Sequence, residues 1–271
     1  MPELPEVETI VRGLAKTIVG RTIERADVRL SKIAVAPPNV VFTHAVAGQE
    51  ILGVRRRGKY AVIQLASGGL LVTSLRMTGR LVLDDHGGTE LPAVHVVLHF
   101  RDGGRLCFSD VRTFGRMRLV AAEDAWDREL GIEPLSSDFT QEAFTGMLSG
   151  RTTPVKALLL DQRRIAGIGN IYACEALWEA RIRPSRPAGG LTKPAIHRLR
   201  RAIVDVLHRA IEGRGTSVDD YVDADGLQGS FQNDLSVYGR DGGLCRRCRR
   251  SRIVRTVLAA RGTWWCRRCQ R

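Results

Sequence analysis

No run of about 18 apolar residues occurs in the 271-residue sequence, which leaves no candidate for a membrane-spanning helix. The N-terminus has neither a basic opening nor an apolar core segment, so it does not read as a secretory signal, and a soluble, cytoplasmic protein is expected. Internal repeats and low-complexity tracts are absent, which excludes solenoids and disordered linkers as the main architecture. Cysteine is too sparse for a disulfide framework. Cys107 and Cys174 stand alone in apolar stretches and read as small hydrophobes in a reduced compartment, while the other four form two close pairs near the C-terminus. Acidic residues are outnumbered, 29 against 42 Lys and Arg, giving a net charge of +13 and a pI near 10.2. Such an excess points to a polyanionic partner, nucleic acid before membrane. From Arg240 onward there are eleven arginines and one aspartate, so ten of the thirteen net charges lie in the last 32 residues.

What is present supports a globular fold. A hydrophobic content of 44% over this length suffices to bury the core of one large domain or two ordinary ones. The first nine residues, MPELPEVET, combine early proline with three glutamates, and Leu4, Val7, Ile10, Val11 and Leu14 follow at helical spacing. Between 21 and 120 the pattern is one of short strand-like runs, RTIERADVRL, ILGVRRR, KYAVIQL, GGLLVTSL, HVVLHF, RLCFSD and RMRLV, broken by turns such as ASGG and RDGG. They predict an antiparallel sandwich or barrel. A connector follows near 121–135, and then helices are expected over 140–149, 154–161, 171–180 and 192–213, the last capped by Thr192. The domains are therefore expected to be a helix plus β domain (1–120), a linker (121–135), a helical domain (136–239) and a basic tail module (240–271).

The tail carries the most specific local signal. In CRRCRRSRIVRTVLAARGTWWCRRC, Cys245 and Cys248 form one C-x-x-C pair and Cys266 and Cys269 a second, with 17 residues between them. This spacing matches a zinc ribbon, in which four thiolates close a tetrahedral site around one Zn2+ and the intervening residues form a β-hairpin. Four protein ligands leave no open position, so the ion is expected to be structural. Arg261 falls at the tip of that hairpin, where a guanidinium can fork onto phosphate oxygens. Upstream, RRIAGIGNIYACEALW places Asn170 where a helix cap is expected after a GIG turn, and the free amides of a helix start favour a phosphate.

Together, MPELPEVET, RRGKY (56–60), SLRMTG (74–79), SDVRTFGR (109–116), DQRRIAGIGNIYACEALW (161–178), VYGRDG (237–242) and the terminal ribbon resemble the formamidopyrimidine-DNA glycosylase family, in order and over essentially the whole chain. The resemblance implies an α+β fold: an N-terminal helix with an antiparallel β-sandwich, a helical domain with a helix-two-turn-helix, and a C-terminal zinc ribbon. It implies a monomeric, bifunctional DNA glycosylase and apurinic/apyrimidinic lyase that excises formamidopyrimidines, and 8-oxoguanine opposite cytosine, from duplex DNA.

By the same resemblance, removal of Met1 exposes Pro2 as a terminal secondary amine. Such α-amino groups have pKa values near 8, about two units below lysine, so a useful fraction is nucleophilic at physiological pH. Pro2 then attacks C1′ of the damaged nucleoside, and the iminium that forms drains electrons for β- and δ-elimination. Glu3 moves protons beside it, Glu6 supports the site one turn on, and Lys59 contacts phosphate near Glu3. Met77, Arg112 and Phe114 correspond to the wedge that fills the stack when the base is flipped out, with Arg112 addressing the orphaned base. Without the resemblance, Met77 and Phe114 would be read as core. Lys156, Asn170 and Arg261 correspond to residues that hold flanking phosphates or, for Lys156, affect processing of oxidised guanine. Two features depart from the family pattern: Ser74 stands where many relatives have histidine, and the lesion-capping loop at about 217–233 is divergent. The rival readings are an endonuclease VIII type of enzyme for oxidised pyrimidines and a catalytically silent zinc-ribbon protein that binds damaged DNA; the presence of Pro2, Glu3 and Lys59 argues against the latter.

Overall fold

The computed structural model describes all residues except Met1, Thr89, 122–125 and 218–220. Two compact units emerge: residues up to Arg128 together with Gly213–Gln232, and Glu129–Glu212 together with Asn233–Arg271.

In the first unit, helix α1 (Leu4–Thr17) presents Leu4, Val7, Ile10, Val11 and Leu14 on one buried face, as the periodicity requires. Pro5 sits in its first turn, where a missing N–H costs nothing. The strands are β1 (Ile23–Val28), β2 (Ala34–Val35), β3 (Ile51–Arg57), β4 (Tyr60–Leu65), β5 (Leu70–Ser74), β6 (Gly79–Asp84), β7 (Val94–Phe100), β8 (Arg105–Asp110) and β9 (Arg116–Val120). One sheet runs β1-β7-β8-β6 and the other β2-β9-β5-β4-β3; every pairing is antiparallel except the two-residue contact of β2 with β9. Ile63 and Leu71 of one sheet and Val96, Leu98, Leu106 and Phe108 of the other share a core with Val7, Ile10 and Leu14 of α1, so this is a sandwich with its first helix built into the core. Fully buried Ile10 and Leu14 each contribute about 1.5–3 kcal/mol relative to an exposed position. Strand β6, its run GRLVLD absent from the strands expected above, and the short helix α2 (Phe42–Val46) complete the unit.

The second unit contains α3 (Gln141–Leu148), α4 (Val155–Leu160), α5 (Asn170–Glu179), α6 (Lys193–Glu212) and the hairpin of β10 (Ile253–Leu258) and β11 (Arg261–Cys266). All four expected helices form within two residues of the predicted ends. The segment 213–232, expected within the helical domain, packs in the first unit instead: the Leu83 amide donates to the Ala224 carbonyl at 3.0 Å. Among the described residues no helix is long and apolar enough to cross a membrane.

Candidate active site, DNA-contact loops and metal centre

The N-terminal acids are buried together. Pro2, Glu3 and Glu6 are all inaccessible, Glu3 being 2% and Glu6 1% exposed. Glu3 occupies the position before α1, and its N–H donates to Glu6 Oε2 at 2.8 Å, one arm of a capping box. The other oxygen of Glu6 accepts the Thr216 amide at 2.7 Å. Tyr221 closes the arrangement by donating its hydroxyl to the Arg214 carbonyl at 3.1 Å, and burial with the nearby Glu6 charge pushes its phenol well above the usual range, so it stays neutral. Gly215 is required here: its φ is +84°, and a Cβ would come within 3.0 Å of Glu6. The helix start is thereby fastened to backbone more than 200 residues away, which no sequence pattern revealed. Met1, whose removal the resemblance invokes, and residues 218–220 of the expected lesion-capping loop lie outside the described residues.

Glu8, the third glutamate of the opening, has a different partner. Its carboxylate accepts Arg12 Nε and Arg56 Nε, each at 2.8 Å. Burial pushes the Glu8 carboxyl up, but the two guanidinium hydrogen bonds outweigh it and hold the group below its ordinary value. Arg56 also donates to the Gly58 carbonyl at 3.1 Å, within the two-residue turn Gly58-Lys59 that joins β3 to β4. Half-buried Lys59 thus stands on a turn tied back to α1, and Gly58, with φ +58°, supplies the left-handed residue that the turn needs.

Two loops that cross from one sheet to the other carry the residues expected to form the wedge. Met77 lies between β5 and β6 and is 40% exposed; Phe114 lies between β8 and β9 and is 50% exposed. Reading these two as core from sequence alone is corrected: both side chains stand out at loop tips. Arg112, exposed, places its guanidinium 4.9 Å from the centre of the Phe114 ring. The residue that joins the two loops is Asp110, fully buried at the end of β8. Its carboxylate accepts the Thr78 hydroxyl from one loop, and the Arg112 amide at 3.2 Å and the Gly115 amide at 2.6 Å from the other. SDVRTFGR contains Asp110, but nothing local in the sequence marks it as the junction. Ser74, in register with both Tyr60 and Arg116, is buried at the end of β5.

In the second unit a hydrogen-bond network centred on Lys156 joins the start of α5 to the hairpin. Lys156, which the resemblance associates with the processing of oxidised guanine, is fully buried, and its Nζ donates to Asn170 Oδ1 at 2.6 Å, Gly262 O at 2.9 Å and Thr263 Oγ1 at 2.7 Å. Three ammonium protons have three protein acceptors, so Lys156 fixes its neighbours and does not face outward. Asn170 is the first residue of α5, the cap position falling on Gly169, and its Nδ2 donates to the Gly262 carbonyl at 3.0 Å. Gln162 shapes the preceding turn by accepting the Gly167 amide at 2.9 Å and donating to the Ile168 carbonyl at 2.7 Å. Arg261, adjacent to Gly262, is exposed at the hairpin tip after Ala259 and Ala260, both with positive φ. A left-handed alanine costs about 1–2 kcal/mol, so the packing of the hairpin imposes this turn.

The four cysteines converge as expected. All four Sγ atoms lie within 4.8 Å of one another, with Cys245 to Cys269 at 3.8 Å and Cys248 to Cys266 at 3.9 Å. A tetrahedral ion with metal–sulfur bonds of about 2.3 Å needs sulfurs about 3.8 Å apart. Their titration is split. Backbone N–H donors, Arg250 first, hold Cys248 down to about 6, whereas burial and the other sulfurs push Cys269 up to about 12. Four sulfurs in one small space do not all ionise without a cation, and an all-sulfur donor set selects a soft ion.

Two family descriptions match the chain: the formamidopyrimidine-DNA glycosylase N-terminal domain over residues 1–117, and the formamidopyrimidine-DNA glycosylase H2TH domain over 130–221. The chain is 46% identical to a formamidopyrimidine-DNA glycosylase of Heliobacterium modesticaldum, with 100% of both chains covered. It is 45% identical to that of Pelotomaculum thermopropionicum, covering 100% and 99%. Among solved structures it is similar to a Lactococcus lactis FPG mutant bound to DNA containing Fapy-dG (TM-score 0.91, 34% identity, both chains covered in full). Similar too are the Lactococcus lactis Fpg with abasic-site DNA (TM-score 0.91, 34% identity, 99% of each chain) and the wild-type protein with DNA carrying an oxidised pyrimidine (TM-score 0.90, 34% identity, both covered in full).

Proposed function

This chain belongs to the formamidopyrimidine-DNA glycosylase family, and from that premise we propose how its own residues carry out the reaction. It is a base-excision repair enzyme for oxidised purines, a bifunctional glycosylase and apurinic/apyrimidinic lyase whose partner is damaged DNA. Pro2 is the nucleophile. Freed of Met1, its nitrogen bonds to C1′ as the glycosidic bond breaks and the base departs with that electron pair. The resulting iminium accepts the electrons released when a proton leaves C2′, so the 3′ phosphate departs by β-elimination and the 5′ phosphate by δ-elimination. Glu3 supplies and removes the protons, and Glu6 positions the strand entering α1. The observation that carries this assignment is the burial of Pro2, Glu3 and Glu6 at the head of α1, with Glu6 holding the Glu3 amide.

Lys59, Asn170 and Arg261 hold backbone phosphates, and Lys156 sets the last two in place. Met77 and Phe114 enter the stack, and Arg112 reads the base left unpaired; its donor-only fork suits the O2 and N3 acceptors of cytosine. The metal is one Zn2+ held by Cys245, Cys248, Cys266 and Cys269, supplying folding energy to the hairpin that carries Arg261. The chain acts as a cytoplasmic monomer. Borohydride trapping on duplexes carrying 8-oxoguanine, formamidopyrimidine, an oxidised pyrimidine or an abasic site tests the chemistry and the substrate together. A covalent adduct mapped to Pro2 on the purine lesions is the expected result. An adduct on an internal lysine refutes the nucleophile, and strong preference for the pyrimidine refutes the substrate.

A further inference from the structure

The metal-binding hairpin has a partner that the four-cysteine pattern does not contain. Trp178, near the end of α5, is 8% exposed, and its indole Nε1–H donates to Cys245 Sγ at 3.4 Å. Arg247, in the middle of the first C-x-x-C pair, lays its guanidinium 4.0 Å from the centre of the indole. It also donates to the carbonyls of Trp178 at 2.6 Å and Glu179 at 3.2 Å. The ring is therefore held by the same knuckle whose sulfur it addresses. Indole N–H is a donor only, and burying it against sulfur is favourable when that sulfur carries the charge of a metal-bound thiolate.

We propose that Trp178 is an outer-sphere positioning residue of the metal site, whose indole N–H orients Cys245 and stabilises its thiolate as a ligand. Metal retention in the tail then depends on α5, the helix whose first residue, Asn170, grips the hairpin tip. The inference rests on the metal reading above and goes beyond it, since neither the ligand spacing nor the hairpin requires a tryptophan on another element. A hydrogen bond to a ligating sulfur lowers the energy of its lone pair, so the thiolate gives less charge to the metal and is a poorer nucleophile toward electrophiles. Loss of an outer-sphere partner typically weakens metal binding by about ten- to a hundredfold.

Trp178→Phe keeps an aromatic ring under Arg247 and removes the donor together with the second ring, and the spectrum separates the two losses. The full-length protein is loaded with Co2+, and its thiolate-to-metal charge-transfer band and ligand-field bands are recorded. Zn2+ affinity is measured by competition with a chromophoric chelator. The expected result is a charge-transfer band at longer wavelength, intact tetrahedral ligand-field bands and an affinity at least tenfold weaker. An unmoved band with affinity within twofold of wild type overturns the proposal, because the ring then serves packing alone. Weaker affinity with an unmoved band overturns it as well, since the loss comes from packing. A wild-type chain with no cobalt spectrum would sink the metal reading itself, and this inference with it.

Discussion

Asp110→Asn tests whether one buried carboxylate governs the wedge. The substitution keeps shape and size but leaves a single acceptor oxygen where the native side chain has two. Oδ1 takes the Thr78 hydroxyl and the Arg112 amide, and Oδ2 takes the Gly115 amide at 2.6 Å. If the asparagine oxygen serves the first pair, its NH2 group confronts the Gly115 N–H. Water has no room to intervene, since Gly115 is buried and a Cβ there would come within 2.9 Å of the Ser74 carbonyl. An orphaned buried donor costs about 1–3 kcal/mol, and the surviving bonds lose their charge assistance, roughly half their strength. A total of about 2–4 kcal/mol is enough to release a loop that carries exposed Arg112 and Phe114 on its tip.

The functional consequence is selective. A good bidentate contact to a base discriminates by about 1–3 kcal/mol, about fivefold to a hundredfold, and this is what a mispositioned Arg112 forfeits. Single-turnover excision of 8-oxoguanine opposite cytosine and opposite adenine should therefore converge toward a ratio of one in Asp110→Asn, as in Arg112→Ala. Borohydride trapping on an abasic duplex, which needs no orphaned-base reading, should stay within about threefold of wild type. If Arg112→Ala loses the preference and Asp110→Asn retains it, the carboxylate is not the junction of the wedge. If both retain it, Arg112 does not read the opposite strand.

Four other outcomes are expected. Chelating the metal should unfold the tail hairpin and abolish DNA binding while the cooperative melting of the β-sandwich persists, as followed by near-UV circular dichroism; a metal analysis finding none in active protein would refute the ribbon. DNA affinity should fall steeply with salt, about 0.9 log units per decade for each phosphate contact, and Arg261→Ala should reduce that slope by about one contact. A retained Met1 or an N-terminal tag should abolish trapping without weakening lesion binding, read by gel shift and borohydride on the same sample. Glu8 has a lowered carboxyl pKa in the folded chain, so its contribution to stability is present above its unfolded value and is lost as pH falls through the folded one; Glu8→Gln should flatten the acid limb of a stability–pH profile below about pH 5.

Much of this architecture is legible in the sequence because its elements follow local rules. ILGVRRR, RLCFSD and RMRLV become β3, β8 and β9 with the very ends their residues suggest, and ASGG and RDGG join antiparallel neighbours. The cysteine spacing alone foretells sulfurs at tetrahedral separations. Local pattern fails where an apolar side chain stands outside, as at Met77 and Phe114, or a charged one inside, as at Lys156. It fails also for residues defined by distant partners: Trp178 is 67 positions from Cys245, and Glu6 is 210 from Thr216. No window of the sequence contains both ends of such a bond.

The opening MPELPEVET shows both limits at once. Helix-start chemistry explains a proline and acids in a first turn, and α1 does begin there. Had the glutamates served the helix dipole alone, they would be exposed and interchangeable. Instead Glu3 and Glu6 are buried and Glu8 is 20% exposed at its side chain, and each has its own set of partners. Glu6 ties the Glu3 amide to Thr216, while Glu8 holds Arg56 and through it the Gly58 carbonyl of the Lys59 turn. A helix that merely packed would need none of these long-range acceptors. One that must hold its own first residues in a fixed place, against a loop on one side and a lysine-bearing turn on the other, needs acids at these three spacings. That requirement is the one the nucleophilic Pro2 proposed above imposes.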